Sequence, residues 1–328
     1  MMTLDLPTHD DVAAARARIA PFIVRTPMLR NAALDAATGG TILLKPEPLQ
    51  RTGSFKLRGA TNAIRQLDAT AQRRGVVTHS SGNHGQAVAC AAAAVGAPAT
   101  VFMPADAPRI KRESTEAWGA TVRPYDRQRD DREALSRAHA EATGQSVVPP
   151  FDHPHVIAGQ GTAALELAED ARAAGLMMDA LLVCTGGGGL IAGSALALEG
   201  ASPATRVWCV EPEGWDDTRR SLAAGERVAN APPGGPALCD ALLSPMPGAL
   251  TFAVNRRLLA GGVAVSEAEV LAAMAFAFRH LKLVVEPGGA VALAALLAGK
   301  FDARGKVVGA VLSGGNVDPA VFARALAA

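Results

Sequence analysis

Apolar and polar positions follow two alternating periods along the chain, and the changes of period mark the elements. Asp10 to Ile19 mixes charges with alanines and predicts a surface helix, broken by Pro21 and Pro27. Thr41-Ile42-Leu43-Leu44-Lys45 is a short apolar run closed by Pro46 and Pro48, which predicts a strand. Ala60, Ala63, Ile64 and Leu67 recur at helical spacing and predict a helix from about Leu57 to Leu67. Strands at Val76–Thr78, Ala99–Met103, Thr121–Arg123 and Ser146–Val148 then alternate with helices at His84–Val95, Pro108–Trp118 and Asp130–Ala142. This alternation predicts α/β architecture with a parallel sheet, and Pro149-Pro150 marks a boundary.

A larger unit follows. Ala163–Ala173 reads as a helix stopped by Gly175, and Leu181–Cys184 as a buried strand. Gly189–Leu198 is a predicted helix, and Arg206–Val210, Val263–Val265 and Val307–Leu312 are predicted strands. Ser266 and Glu269 form a capping box for the helix from Glu267. Residues 225–247, rich in proline and glycine, read as an irregular connection. There is no internal repeat.

At 328 residues the chain fits two domains or one large one. Its 49% hydrophobic and 4% aromatic content calls for an aliphatic, alanine-rich core. A net charge of +1 argues against a nucleic-acid or polyanion surface. No apolar run reaches the roughly 18 residues of a membrane span, and the N-terminus does not read as a signal peptide. Cys90, Cys184, Cys209 and Cys239 are far apart without zinc spacing, so they are expected to be reduced thiols in a cytoplasmic protein.

Four stretches carry candidate chemistry. In Ser54-Phe55-Lys56-Leu57-Arg58-Gly59 a lysine stands among small and apolar neighbours. Burial lowers a lysine's pKa, and a desolvated amine is the nucleophile that condenses with a carbonyl; a snorkelling surface lysine is the plainer reading. Thr185-Gly186-Gly187-Gly188-Gly189-Leu190 lies between a predicted strand and helix, where successive N–H groups converge on an anion. A dinucleotide loop stays open there, since Glu211 stands near the spacing of its acidic residue. Ser80-Ser81-Gly82-Asn83-His84-Gly85 also joins a strand to a helix and reads as an anion site or an ordinary N-cap. Ser313-Gly314-Gly315-Asn316 follows the last strand and by itself is a strand-end loop.

Other polar stretches are read more plainly. Glu211 to Asp217 gathers oxygen ligands on one loop, suited to a divalent cation or to a solvated turn. His153-Pro154-His155 is assigned to a loop, and Asp130-Asp131-Arg132-Glu133 to a solvated helix start.

In this order, the four stretches resemble the pyridoxal-phosphate enzymes of the tryptophan-synthase-β fold type (fold type II). The branch is that of the serine racemases, threonine and serine dehydratases and hydroxyaspartate dehydratases. The resemblance spans nearly the whole chain, and Tyr125-Asp126-Arg127 through Gln160-Gly161-Thr162 is similar to the eukaryotic-type racemases. It implies two α/β domains with open, mostly parallel sheets flanked by helices: a large cofactor-binding domain of residues 1–66 and 149–328, and a small mobile one of residues 67–148.

It also implies roles. Lys56, beside Phe55, holds pyridoxal phosphate and moves the α-proton. Gly186, Gly187, Gly188 and Gly189 hold the phosphate, Asn83 bonds the phenolic oxygen, and Ser313 faces the pyridine nitrogen. A neutral hydroxyl at that nitrogen suits elimination over transamination. Ser80, Ser81, Asn83 and His84 face the substrate carboxylate, Arg132 a second carboxylate, and Ser81 is the position of the racemases' second acid/base. Mg²⁺ or Ca²⁺ falls to Glu211, the Trp215 carbonyl and Asp217.

The expected reaction is β-elimination from a β-hydroxy amino acid such as L-threonine or L-serine, giving a 2-keto acid and ammonia. A serine racemase, a hydroxyaspartate dehydratase and a non-catalytic phosphate- or nucleotide-binding protein are the alternatives. The partners expected are a small amino acid and a second copy of the chain, with no nucleic acid and no membrane. Two departures stand out. Many dehydratases have Ser-Ala where this chain has Ser80-Ser81, and there is no room for the regulatory domain of the long threonine dehydratases.

Overall fold

A computed structural model describes residues 5–80, 82–107, 109–231 and 238–327. Ser81, Pro108 and part of the proline- and glycine-rich connection lie outside the described residues. The first half comprises α1 His9–Ile19, α2 Ala32–Thr38, β1 Thr41–Pro46, α3 Lys56–Arg65, α4 Ala69–Arg74, β2 Val76–His79, α5 Asn83–Ala93, β3 Ala99–Pro104, α6 Arg109–Glu116, β4 Thr121–Tyr125, α7 Arg132–Thr143 and β5 Ser146–Val147. The second comprises α8 Pro154–Ala173, β6 Ala180–Cys184, α9 Gly189–Ala201, β7 Arg206–Pro212, α10 Asp217–Ala224, α11 Ala249–Leu258, β8 Leu259–Val265, α12 Glu267–Phe276, α13 Pro287–Leu297, β9 Val307–Leu312 and α14 Pro319–Ala327.

The strands form two sheets, ordered β1-β9-β6-β7-β8 and β4-β3-β2-β5, with every neighbouring pair parallel. All five residues of β6 are buried, as a parallel strand covered on both faces requires. Helices α8 and α9 pack on β1, β6 and β7, while α13 packs across β6, β7, β8 and β9. The last strand, β9, inserts between β1 and β6, so loops after β6 and β9 emerge side by side. In open α/β sheets such a switch in strand order opens a crevice beyond the carboxyl ends of the strands.

Helix α1 is the predicted surface helix, resting on Val12, Ala15 and Ile19. Two expectations change. Helix α8 begins nine residues before the predicted Ala163, with His153 as its N-cap and Pro154 in its first turn, so the His-Pro-His stretch starts a helix. Its early turns contain Gly159 and Gly161, which argue against a helix locally. Both are needed for close packing: a Cβ at Gly159 would lie 2.7 Å from the Arg58 carbonyl, and one at Gly161 2.3 Å from the Gly193 carbonyl. Finally, Glu211 lies within β7 and Asp217 opens α10, so only residues 213–216 form the loop between them.

Behind α3 sits a buried group of charges. Arg58 bonds Glu47 at 2.8 Å and Glu166 at 2.9 Å, and Lys45 bonds Glu166 at 2.7 Å and the Thr26 carbonyl at 2.6 Å. Two cations face two carboxylates, and the backbone joining Lys45 to Arg58 carries Lys56.

Candidate active site

The cleft is built from strand ends. Lys56 and Phe55 start α3, Ser80, Asn83 and His84 connect β2 to α5, Thr185 to Gly189 connect β6 to α9, and Ser313 follows β9. Pro150 and Phe151, from the predicted boundary, also line it. An isolated bridge between Ser54 and Gly314, and a bond from Phe55 N to the Ser313 carbonyl (3.0 Å), pin the lysine turn to the last strand.

Lys56 Nζ donates to the Pro150 carbonyl at 2.7 Å, a neutral acceptor. Burial pulls this amine down to about 8, partly offset by the charge of Glu286. A substantial neutral fraction near physiological pH is what nucleophilic or base chemistry needs.

Gly188, in the left-handed region (φ +92°), caps α9, and Gly189 is its first residue. Side chains at these positions are excluded: a Cβ on Gly187 would lie 2.4 Å from the Phe151 ring, and one on Gly186 2.9 Å from Leu242 Cα. Thr251 of α11 donates to the Gly187 carbonyl at 2.8 Å and holds the turn. The result is a bare backbone concavity at a helix N-terminus, a cradle for a phosphate.

Asn83 is the first residue of α5, whose N-cap Gly82 supplies no side chain. Its Nδ2 donates to Glu286 Oε1 at 2.6 Å. Burial, followed by the charge of Asp240, pushes Glu286 up to about 7. His84 Nε2 lies 2.9 Å from the Val148 carbonyl, and burial holds the ring near 3 and so neutral. The nitrogen facing a carbonyl must carry the proton, leaving Nδ1 as an acceptor. Arg132 lines the cleft opposite and, behind burial, contributes to holding His79 near 4. Lys111 of α6 reaches Asp240 at 2.7 Å across the cleft.

Sequence reasoning does not single out Glu286, Lys111 or Asp240. Glu286 precedes the Pro287-Gly288-Gly289 start of α13, a helix-start signal that would have located it.

The predicted cation ligands lie apart from this cleft. Glu211 and Asp217 are both fully buried. Glu211 Oε1 accepts from Thr218 N (2.9 Å) and Oε2 from Arg219 N (2.8 Å), capping α10. Asp217 Oδ1 accepts from Asn230 (2.8 Å), while Oδ2 has no hydrogen-bond partner among the described residues. Burial, then the charge of Asp217, pushes Glu211 up to about 8, and burial raises Asp217 to about 6. Two buried, under-compensated carboxylates with an orphaned oxygen fit a hard cation. No cluster of three or more His, Cys, Asp or Glu ligands occurs among the described residues.

The cleft fits pyridoxal phosphate on its own chemistry: a depressed lysine amine beside a side-chain-free phosphate cradle. Comparisons with known proteins agree. A family model described as pyridoxal-phosphate dependent enzyme matches residues 19–314. Serine racemase of Schizosaccharomyces pombe is 41% identical over 315 residues, covering 96% of each chain. L-threo-3-hydroxyaspartate ammonia-lyase of Pseudomonas sp is 43% identical over 323 residues, covering 98% of this chain and 99% of that protein. Among solved structures, maize serine racemase aligns with a TM-score of 0.91 at 37% identity, covering 98% of this chain and 97% of that one. The chain therefore belongs to the pyridoxal-phosphate dependent enzymes of fold type II, in the branch that holds the serine racemases and the hydroxyaspartate dehydratases.

Proposed function

We propose that the protein catalyses β-elimination from β-hydroxy amino acids such as L-threonine or L-serine, releasing a 2-keto acid and ammonia. The observation that carries this is Lys56: an amine lowered to about 8, bonded among the described residues to a neutral carbonyl, beside the glycine cradle. Pyridoxal phosphate, when bound, supplies the electron sink that makes an amino acid's α-hydrogen acidic. The chain's residues do the rest. Lys56 would hold the cofactor and take the α-proton. Gly186 to Gly189 would hold its phosphate, Phe55 flanks the lysine, and Ser313 would offer the ring nitrogen an uncharged hydroxyl. Ser80, Ser81, Asn83 and the first N–H groups of α5 bind the substrate carboxylate. His84 takes part through its backbone N–H, since its free ring nitrogen is an acceptor.

The 2-keto acid released from a panel of L- and D-β-hydroxy amino acids, with racemisation followed in parallel, tests this reading. Elimination from the L-substrate is expected to dominate. Ser81→Ala should abolish racemisation while slowing elimination only severalfold, because Ser81 is the only second-face proton donor the motif offers. Interconversion of L- and D-serine outpacing keto-acid release would overturn the ranking. A second reading, 3-hydroxyaspartate as substrate, is favoured by Arg132, whose guanidinium lines the cleft without a carboxylate partner among the described residues. Under it, Arg132→Ala raises KM for hydroxyaspartate and leaves serine nearly untouched.

Mg²⁺ or Ca²⁺ at Glu211, the Trp215 carbonyl and Asp217 would satisfy the orphaned Asp217 oxygen. Chelation should lower the melting temperature by several degrees, since a cation bound only to the folded state stabilises it, and Glu211→Ala should remove that sensitivity. Equal chelator sensitivity in both proteins would count against the site. The sheet composition supports a small domain of residues 67–148 beside a large one of residues 1–66 and 149–328, although Leu57 and Ile64 of α3 pack into the core of the smaller unit. Four free, buried cysteines support a cytoplasmic setting. No described helix is long and apolar enough to cross a membrane. The resemblance supports a homodimer, which sedimentation would test.

A further inference from the structure

The cleft wall contains a directional chain of side-chain amides. Asn316 Nδ2 donates to the Thr52 carbonyl (2.8 Å) and to Asn83 Oδ1 (2.7 Å), and Asn83 Nδ2 donates to Glu286 Oε1 (2.6 Å). An amide's two ends are alike in shape, so its orientation follows from its partners. A backbone carbonyl only accepts, so Asn316 turns its NH₂ toward Thr52. The same NH₂ reaches Asn83, which must therefore present its oxygen there and its NH₂ to Glu286. The Thr52 end sets this direction whatever the charge on Glu286, and an ionised Glu286 imposes the same one.

The two ends of the chain are seated against glycines. A Cβ on Gly53 (φ +69°) would lie 2.5 Å from Asn316 Oδ1, and one on Gly314 2.2 Å from Glu286 Oε1. Glu286 is 3% exposed. The chain joins the lysine turn, the start of α5, the loop after β9 and the N-cap of α13.

Asn83 Nδ2 carries two hydrogens, and Glu286 takes one. We propose that Glu286 and Asn316 are positioning residues that lock Asn83 as a hydrogen-bond donor toward an oxygen of pyridoxal phosphate. This rests on the reading that Asn83 contacts the bound cofactor. A donor stabilises an anionic ring oxygen; a reversed amide would set its carbonyl against that oxygen and repel it.

The test titrates cofactor-free protein with pyridoxal phosphate and reads the dissociation constant, the visible absorption maximum and the melting temperature of the cofactor-free form. Asn316→Asp sets a carboxylate against two acceptors and should turn the Asn83 amide round. Affinity should fall roughly tenfold or more, the scale of a misdirected buried hydrogen bond, and the absorption maximum should move. Glu286→Gln, whose oxygen still accepts, should lose only about threefold. The double variant Glu286→Gln with Asn316→Asp supports the reversed direction, because the glutamine amide introduced opposite α5 can donate to the turned Asn83 carbonyl. It should regain melting temperature over Asn316→Asp but neither affinity nor band position.

Recovery of affinity together with stability would reduce the pair to a structural role and overturn the proposal. So would Asn316→Asp binding within about twofold of the parent with an unmoved band. Asn83→Ala separates the layers: if it loses affinity while Asn316→Asp does not, the lock alone fails; if it binds like the parent, the Asn83 contact fails as well.

Discussion

Lys45 on β1 and Lys56 at the start of α3 are near neighbours in sequence, and burial lowers both amines, yet their surroundings are opposite. Lys45 is fully buried and spends its hydrogens on the Glu166 carboxylate and the Thr26 carbonyl, inside a group where two cations balance two carboxylates. Lys56 opens onto the cleft and holds one neutral carbonyl, with Glu286 as its main countercharge. Burial alone does not make a lysine reactive. A paired ammonium gains back part of what desolvation costs, whereas one left with a dipole gains back less and is more readily freed as an amine.

The comparison breaks if the two lysines behave alike on mutation. Lys56→Ala should cut turnover by at least about 100- to 10,000-fold, the range for a positioned acid–base group, and abolish borohydride-fixed cofactor. Its unfolding free energy should barely change. Lys45→Met should show the converse, with clear destabilisation and near-normal kcat in the folded fraction. Full elimination activity in Lys56→Ala would end the assignment.

The paired side is sharpened by Glu166→Gln, which leaves Lys45 and Arg58 short of a carboxylate. Urea unfolding should register a loss of about 3–5 kcal/mol, as for other broken buried pairs. A loss below about 1 kcal/mol would place the group in a wetter, better screened setting.

The smallest effect is in pH. A group lowered to about 8 is protonated below that pH, so the neutral fraction of Lys56 rises about tenfold per unit up to about 8 and then levels. The rate at which cofactor-free protein captures pyridoxal phosphate should follow that curve. A rate still climbing toward the ordinary lysine value of about 10.4 would show an undepressed amine. The same shift favours stability at high pH: between the folded and unfolded values the unfolded chain holds more protons, so stability rises with pH there.

Much of the scaffold was legible in the sequence. Short β-branched and leucine runs located β2, β3, β6 and β9, and the capping box at Ser266 and Glu269 starts α12 as predicted. The start of α8 was hidden because Gly159 and Gly161 lower helix propensity locally, and only contact with α3 and α9 makes them necessary. Glu211 looked like a loop ligand because its neighbours Pro212, Glu213 and Gly214 are turn-formers; strand pairing with Ala264 holds it in β7.

The amino-acid sequence by itself determined the α/β alternation, the four motifs around the cleft and the lysine at their centre. These rest on local periodicity and on residue types that few other roles require. Tertiary structure alone decided that Arg58 and Lys45 meet Glu47 and Glu166, that Glu286 faces Asn83, and that Asn316 fixes an amide far away in the chain. Such pairings join residues as much as 233 positions apart. A charge or an amide carries no local mark of its partner, because its energy depends on desolvation and distance, which exist only once the chain has folded.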